Sequence, residues 1–178
     1  MTDARRLTER PAGAAAAASG GIDFEAFYLA HRVRLFRALV VVTRDVHAAE
    51  EVAQDAFVRV WERWDRVRQM EDPAGYLYRT ALNSWFQVRR RAVRAARRLA
   101  APGRVIDPLA IVEDRDDLAR RLLELPPRQR AALVLMEYLG HDSAEAGRVL
   151  GIRAGTVRRL ASKGKAALRR GGEEEDRG

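Results

Sequence analysis

The chain has 178 residues and a formal net charge of +8 at pH 7, and nearly all of its positive charge comes from arginine. Because guanidinium groups bind phosphate through planar, bidentate hydrogen bonds, this composition predicts a polyanionic partner. The absence of cysteine excludes disulfide bonds, thiolate nucleophiles and cysteine-based zinc sites. The longest aliphatic run, Leu39 to Val42, is far shorter than the roughly 20 residues of a membrane-spanning helix.

The N-terminal third of the chain predicts a disordered arm followed by two helices. Residues 1–21 are rich in alanine and glycine and lack apolar periodicity, so we expect them to form the arm. Asp23 can cap a first helix, whose apolar stripe runs from Phe24 to Val42 at three-to-four spacing. Asp45 can cap a second helix. One arc of that helix is predicted to face the core and contains Val52, Ala53, Ala56, Phe57, Val60 and Trp64.

A loop and a third long helix are predicted next. Alternating charges and a proline favour a loop from Asp65 to Pro73, and the helix is expected from Ala74 to about Arg98. The apolar arc of this helix should pack against the first two helices. It contains Leu77, Tyr78, Ala81, Leu82, Trp85, Val88 and Ala92.

The C-terminal half predicts a second, separate helical unit. Proline and glycine in a stretch of low periodicity predict a flexible linker over residues 99–114. Residues 115–170 are expected to form helices near Asp116–Leu123 and from Pro127 to Tyr138, followed by a stop at Gly140 and a final helix pair. The acidic residues 171–178 should form a solvated tail. The predicted fold class is therefore all-α, with two small helical domains joined by a flexible linker.

Two motifs in the N-terminal unit resemble the signature of bacterial extracytoplasmic-function sigma factors, of the actinobacterial sigma-E-like type. They are Ala49-Glu-Glu-Val-Ala-Gln-Asp-Ala-Phe57 and Tyr78-Arg-Thr-Ala-Leu-Asn83, which an arginine run follows. The resemblance implies a cytoplasmic, promoter-recognising subunit of RNA polymerase that needs no cofactor. It implies sigma region 2 over residues 22–98 and sigma region 4 over residues 115–170.

The second helix carries a mixed surface on the side opposite its buried arc. An exposed tryptophan and valine among carboxylates is typical of a helix that docks on another protein. The resemblance implies that this helix binds the clamp coiled coil of core polymerase. The alternative is that Trp61 lies at the edge of its own core and the carboxylates are a solvated face. The candidate polymerase-binding residues are Glu51, Gln54, Asp55, Val58, Trp61 and Glu62.

The solvent side of the third helix combines cations, amides and aromatic rings. Aromatic faces stack unpaired bases and guanidinium groups bind phosphate, so this combination suits single-stranded DNA. The resemblance implies that the helix and the preceding loop read and melt the −10 element; the alternative is a solvated amphipathic surface. The candidates are Arg68, Gln69, Met70, Tyr76, Arg79, Thr80, Asn83, Phe86, Gln87 and Arg90. Further arginines, up to Arg98, are expected to contact phosphate without sequence preference.

A helix-turn-helix pattern lies near the C-terminus. Asp142 and Glu145 have capping-box spacing, Gly151 supplies the turn, and a second helix begins near Thr156. Leu125-Pro-Pro-Arg-Gln-Arg130 and Leu150-Gly-Ile-Arg-Ala-Gly-Thr-Val157 resemble the family's region 4, which implies binding to the −35 duplex. The candidate contacts are Arg153, Thr156, Arg158, Arg159, Ser162 and Lys163.

The first helix of this pattern departs from the family. Larger apolar residues are usual at the positions of His141, Ser143 and Ala146, and alanine is usual at Gly147. Loss of a large apolar side chain costs about 2 to 5 kcal/mol at a fully buried site unless neighbours collapse into the space. We therefore expect a loosely packed first helix that is stable mainly when DNA, the polymerase flap or an inhibitor holds it.

The resemblance implies core RNA polymerase (clamp coiled coil and flap), promoter DNA and an anti-sigma factor as partners, with no small-molecule substrate and no metal. Two other classes stay open: a helix-turn-helix regulator that acts without polymerase, and a basic RNA-binding or chromatin-associated protein. An enzyme is not predicted. Cysteine and a phosphate-binding glycine loop are absent, and His31, His47 and His141 lie in unrelated places.

Overall fold

The structure, a computed structural model, describes residues 23–99 and 117–175, and every regular element in these ranges is helical. The all-α class is thus confirmed. The predicted arm and nearly all of the predicted linker lie outside the described residues. The N-terminal unit contains α1 (Phe24–Thr43), α2 (Val46–Trp61), α3 (Trp64–Val67) and α4 (Pro73–Leu99). The C-terminal unit contains α5 (Asp117–Glu124), α6 (Pro127–Leu133), α7 (Ser143–Leu150) and α8 (Ala154–Glu175).

A short reversal joins α1 to α2, and the two helices pack along each other. Arg44 adopts a left-handed conformation with φ 62°, which ends α1. Asp45 then caps α2 as predicted, because its Oδ1 accepts a hydrogen bond of 3.0 Å from the backbone N–H of Ala48. Asp23 precedes α1 as predicted, but its side chain makes no capping hydrogen bond.

Large aliphatic side chains from three helices form the core of the N-terminal unit. Leu35, Leu39, Val60 and Leu77 are completely buried. Complete burial of one such side chain stabilises the fold by roughly 1.5 to 3 kcal/mol. The predicted arc of α4 is confirmed through Leu82, but its last two members, Val88 and Ala92, are exposed. A helix as long as α4 extends about 40 Å, whereas α2 extends only about 24 Å, so the C-terminal part of α4 continues beyond the helices that bury its beginning.

The segment after α2 differs from the prediction. α2 ends at Trp61, and α3 forms inside the region where a loop was expected to begin. Trp64 is therefore the first residue of α3 and not a member of the α2 arc. Its ring lies 5.4 Å from the ring of Phe24 and 5.0 Å from that of Phe27, so it still contributes to the core.

The helix-turn-helix is capped as predicted. The Asp142 carboxylate accepts hydrogen bonds from the backbone of Ala144 (2.7 Å) and Glu145 (2.8 Å), and Glu145 accepts one in return from the Asp142 N–H. Gly151 ends α7 with φ 65°.

Before α7, α6 continues into a π-helical turn over Val134–Tyr138, which sequence periodicity did not predict. The predicted acidic tail is partly helical, because α8 runs to Glu175.

The expected loose packing of α7 is wrong, whereas the expected dependence of its stability on DNA, the polymerase flap or an inhibitor stays a prediction. Ala146 and Gly147 are both buried, and a Cβ atom added at Gly147 would lie only 2.7 Å from the carbonyl oxygen of Ile152. The small residues therefore bring backbone against backbone, and this close approach replaces the apolar side chains that are missing from α7.

The two units also pack against each other. α1 contacts α6 and the π-helical turn, and α4 contacts α7. Two arginines bridge the units: Arg130 donates to the carbonyl oxygen of Val42 (3.0 Å), and Arg34 donates to that of Leu139 (3.0 Å). The linker prediction gave no indication of this interface.

Candidate interaction surfaces

The solvent side of α2 exposes the whole predicted polymerase-binding set. Trp61 is 62% exposed and Val58 is 52% exposed, although their sequence neighbours Val60 and Phe57 are buried in the core. The helical period separates the two sides, because the buried arc faces α1 and α4. The exposed members are Glu51, Gln54, Asp55, Val58, Trp61 and Glu62. The alternative of Trp61 as an edge of its own core does not fit this exposure.

The predicted single-stranded DNA face of α4 is partly exposed and partly covered. Arg79, Gln87 and Arg90 are exposed. The part-buried members are Tyr76, Thr80, Asn83 and Phe86. The Thr80 hydroxyl donates to the carbonyl oxygen of Tyr76 at 2.8 Å, so in this conformation it is used within the helix.

The loop before α4 contains three predicted DNA contacts in different environments. Gln69 and Arg68 are exposed, and Arg68 forms an ion pair of 3.2 Å with Asp65. An exposed pair of this kind is weak, so Arg68 remains available to a ligand. Met70 is part-buried and packs against the hydrophobic core. The structure thus packs Met70 against the edge of the core, unlike its two exposed neighbours.

Arginines continue the cationic surface along α4. Arg89, Arg90, Arg91 and Arg94 are all exposed. The N-terminus of α6 adds a cation that sequence reasoning missed, because the guanidinium of Arg128 lies 5.6 Å from the centroid of the Phe86 ring. A groove of about 450 Å³ between the two units has Val93, Pro126 and Pro127 on its apolar side and is otherwise lined by Phe86, Arg89, Arg90, Arg94 and Arg128. The only sequence signal for Arg128 was its place in the region 4 motif.

The second helix of the helix-turn-helix, α8, presents the predicted duplex-binding face. Val157 on the opposite side is completely buried against α7 and α6. Arg158 is exposed but donates a hydrogen bond of 3.1 Å to the Ser143 hydroxyl, so it also connects α8 to α7. Lys165 forms an ion pair of 2.8 Å with Glu137, which the sequence did not predict. Of the predicted set, Arg153, Arg158, Arg159, Ser162 and Lys163 are exposed and Thr156 is part-buried.

Three titratable groups report on the electrostatics of the interface and the helix caps. Burial raises the pKa of Tyr78 to about 12, so its phenol stays neutral. Burial lowers the pKa of Arg130 to about 10, which still leaves the guanidinium charged at neutral pH. Hydrogen bonds from the backbone of Glu145 and Ala144 lower the pKa of the Asp142 carboxyl.

Neither a metal centre nor a membrane span is evident in the described ranges. Residues 23–99 and 117–175 contain no group of three histidine, cysteine, aspartate or glutamate side chains that could hold a metal ion. None of the helices formed by these residues combines the length and the apolar composition needed to cross a membrane.

The fold and its surfaces define a class of protein. A helix-turn-helix with a cationic second helix lies beside a helical unit that exposes arginine and amide side chains next to part-buried aromatic rings on one helix, and an exposed tryptophan and valine among carboxylates on another. This combination defines a helical DNA-binding transcription factor with a surface for a protein partner.

Comparison with known proteins gives the family. Residues 27–101 match the Sigma-70 region 2 family and residues 115–168 match the Sigma-70 region 4 family. The chain is 28% identical over 148 residues to the ECF RNA polymerase sigma factor SigM of Mycobacterium tuberculosis, covering 83% of this chain and 76% of that protein. It is 28% identical to the RNA polymerase sigma-E factor of Streptomyces avermitilis, covering 87% of this chain and 88% of that protein. The chain belongs to the extracytoplasmic-function sigma factors.

A solved structure supports the fold over both units. The sigma factor RpoE of Bartonella quintana, solved in complex with the anti-sigma factor NepR, superposes with a TM-score of 0.70. The two proteins are 19% identical, and the match covers 85% of this chain and 97% of that chain.

Proposed function

We propose that the chain binds core RNA polymerase and directs promoter-specific initiation by recognising −35 duplex DNA and the melted −10 strand. The observation that carries the proposal is the α2 face, where Trp61 and Val58 are more than half exposed beside Asp55. A tryptophan and a valine that become desolvated within a polar rim form the anchor of a protein interface. The expected counterpart is the clamp coiled coil of polymerase.

The remaining surfaces support the DNA-binding part of the proposal. α4 presents Arg79, Gln87 and Arg90 for a single strand, and stacking on an aromatic ring such as Phe86 contributes roughly 1 to 3 kcal/mol per base. Opening a duplex costs about 1.4 kcal/mol per step of stacking, so one or two captured bases offset a large share without ATP. α8 presents Arg153, Arg159 and the residues beside them to the major groove.

The proposal assigns a role to each part of the chain. Residues 22–98 act as region 2, residues 99–114 as the linker, and residues 115–170 as region 4, which also contacts the polymerase flap. The protein acts in the cytoplasm, has no enzymatic activity of its own and is inhibited by an anti-sigma factor. The RpoE structure to which this fold is similar was solved in complex with the anti-sigma factor NepR, and this supports an anti-sigma factor as a partner.

Run-off transcription with purified core polymerase and a promoter library tests the proposal. Wild type should initiate at a shared sequence. The Asp55→Arg/Val58→Asp double variant should yield at least about tenfold less transcript, because it places charge in the anchor of the interface. Glu25→Arg/Val33→Asp is the matched control. It makes the same kinds of change at two exposed positions of α1 outside the predicted face and should retain activity.

Two results would contradict the proposal. Equal transcription by wild type and the Asp55→Arg/Val58→Asp variant would show that the α2 face does not bind polymerase. Specific retardation of duplex DNA by a wild type that never initiates would instead support a helix-turn-helix regulator acting without polymerase.

A further inference from the structure

Four arginines line the groove between α4 and the start of α6. Three belong to α4 (Arg89, Arg90 and Arg94), Arg128 belongs to α6, and all four are exposed. No acidic side chain lines the groove, and within the described part of the chain no carboxylate forms an ion pair with any of the four. A cleft lined by one sign of charge raises the local concentration of ions of the opposite sign. The groove therefore attracts a polyanion.

The same groove offers a surface for a planar ring. The guanidinium of Arg128 lies 5.6 Å from the centroid of the Phe86 ring, and both groups line the groove. Nucleobases stack on aromatic rings and on guanidinium planes, and every base has a face for such stacking. Val93, Pro126 and Pro127 add apolar surface to the groove. A base and a set of phosphates thus both find matching side chains in it.

The size of the groove narrows the class of ligand. Its volume of about 450 Å³ lies within the roughly 300 to 1,000 Å³ of small-molecule sites. Arginine binds phosphate through two parallel hydrogen bonds, so four guanidinium groups around so small a volume suit several phosphates on one short chain. A nucleoside polyphosphate combines such a chain with a base.

We infer that this groove binds a free nucleoside polyphosphate, with the base stacked on Phe86 and the phosphates on the arginines of both units. Phe86 and Arg90 also belong to the predicted single-stranded DNA face of α4, so a bound nucleotide excludes a DNA strand from them. Only this exclusion rests on the proposed function, because binding of the nucleotide needs neither polymerase nor promoter DNA.

Isothermal titration calorimetry of the full chain tests the site with ATP, inorganic tripolyphosphate and adenosine, in magnesium-free buffer of fixed ionic strength. ATP should bind most tightly. Tripolyphosphate should bind about tenfold more weakly because it lacks the stacked base, and adenosine should show no measurable binding because it lacks the phosphates. Arg94→Ala and Arg128→Ala should each weaken ATP binding about tenfold, since each removes charge-assisted hydrogen bonds, one from each unit.

Two further variants separate a site from general attraction between charges. Arg91→Ala removes another exposed arginine of α4, which does not line the groove, so it should weaken ATP binding by less than about twofold. Phe86→Leu should lower the affinity for ATP to that for tripolyphosphate and leave the affinity for tripolyphosphate unchanged. Circular dichroism of each variant verifies that it is folded.

Three results would overturn the inference. Equal losses in Arg91→Ala and Arg94→Ala would show diffuse attraction to the whole helix. Equal affinity of wild type for ATP and tripolyphosphate would show that no base is recognised. Absence of measurable ATP binding, with Arg94→Ala and Arg128→Ala weakening the binding of a mixed-sequence single-stranded DNA, would assign the groove to the strand. A failure of wild type in run-off transcription would contradict the proposed function and leave the calorimetric result to decide on the nucleotide.

Discussion

The two units of the chain both bury large aliphatic side chains and alanines but differ in the close contacts made at their glycines. The N-terminal unit fills its core with large aliphatic side chains, among them Leu35, Leu39 and Leu77. The C-terminal unit also buries large side chains, such as Leu135 and Val157, and in addition packs Gly147 and Gly164 closely against other segments. The comparison teaches that removing volume should harm either core, whereas adding volume at these two glycines should harm the C-terminal unit.

The chain contains a natural probe for separating the two effects. All three tryptophans, Trp61, Trp64 and Trp85, lie in the N-terminal unit. Tryptophan fluorescence therefore reports the unfolding of that unit, while circular dichroism reports helices in both. A difference between the two transitions identifies the unit that a substitution affects.

The largest expected effect is that of Leu39→Ala. Leu39 is completely buried in α1, so the variant loses apolar contacts and leaves a cavity that should lower the free energy of unfolding by about 2 to 5 kcal/mol. Urea unfolding followed by tryptophan fluorescence measures the change. Val33→Ala, at a position 48% exposed on the same helix, should change stability by less than about 0.5 kcal/mol. Equal effects of the two substitutions would show that Leu39 contributes no more to the core than the exposed Val33 does.

Gly147→Ala should have the next largest effect. The new Cβ would lie 2.7 Å from the Ile152 carbonyl oxygen, which is a backbone atom and cannot rotate away. We therefore expect the free energy of unfolding to fall by about 1 to 3 kcal/mol. Urea unfolding followed by circular dichroism measures the change. Alanine otherwise stabilises a helix by roughly 0.5 to 1 kcal/mol relative to glycine. Gly155→Ala is the control, because its only near neighbour is a flexible arginine tip at 3.9 Å. If Gly147→Ala were instead more stable than wild type, the result would support the expectation that α7 is loosely packed.

Helix positions and solvent faces could be predicted from the sequence because periodicity and capping are local properties. Asp45 and Asp142 cap the expected helices, and Trp61 lies on the expected exposed face. Periodicity cannot tell which distant surface covers a face. It therefore missed the packing of Met70 against the core and the burial of Arg130, whose partners lie up to 88 residues away in the sequence.

Gly164→Ala should have a smaller effect than Gly147→Ala, although both glycines are buried. Its new Cβ would lie 2.8 Å from Cδ1 of Leu133, the end of a flexible side chain, so a small rotation of Leu133 relieves the contact. The gain in helix propensity then offsets most of the strain, and we expect a net change within about 1 kcal/mol of zero. The same circular dichroism experiment measures it. A loss as large as that of Gly147→Ala would mean that side chains in this unit are as rigid as its backbone.

The smallest expected effect is a pH dependence of the α7 cap. Hydrogen bonds from the backbone of Glu145 and Ala144 lower the pKa of Asp142 from its ordinary value of 3.8. Because the folded state holds the charged form more strongly than the unfolded state does, this contribution is complete above pH 3.8 and is lost as the pH falls through the lower folded pKa. In Asp142→Asn the amide can still cap the helix but does not titrate. Melting temperatures of the two proteins by circular dichroism should therefore differ above pH 3.8 and converge below it. A difference that instead widens below pH 3.8 would assign the strength of the cap to something other than the carboxylate charge.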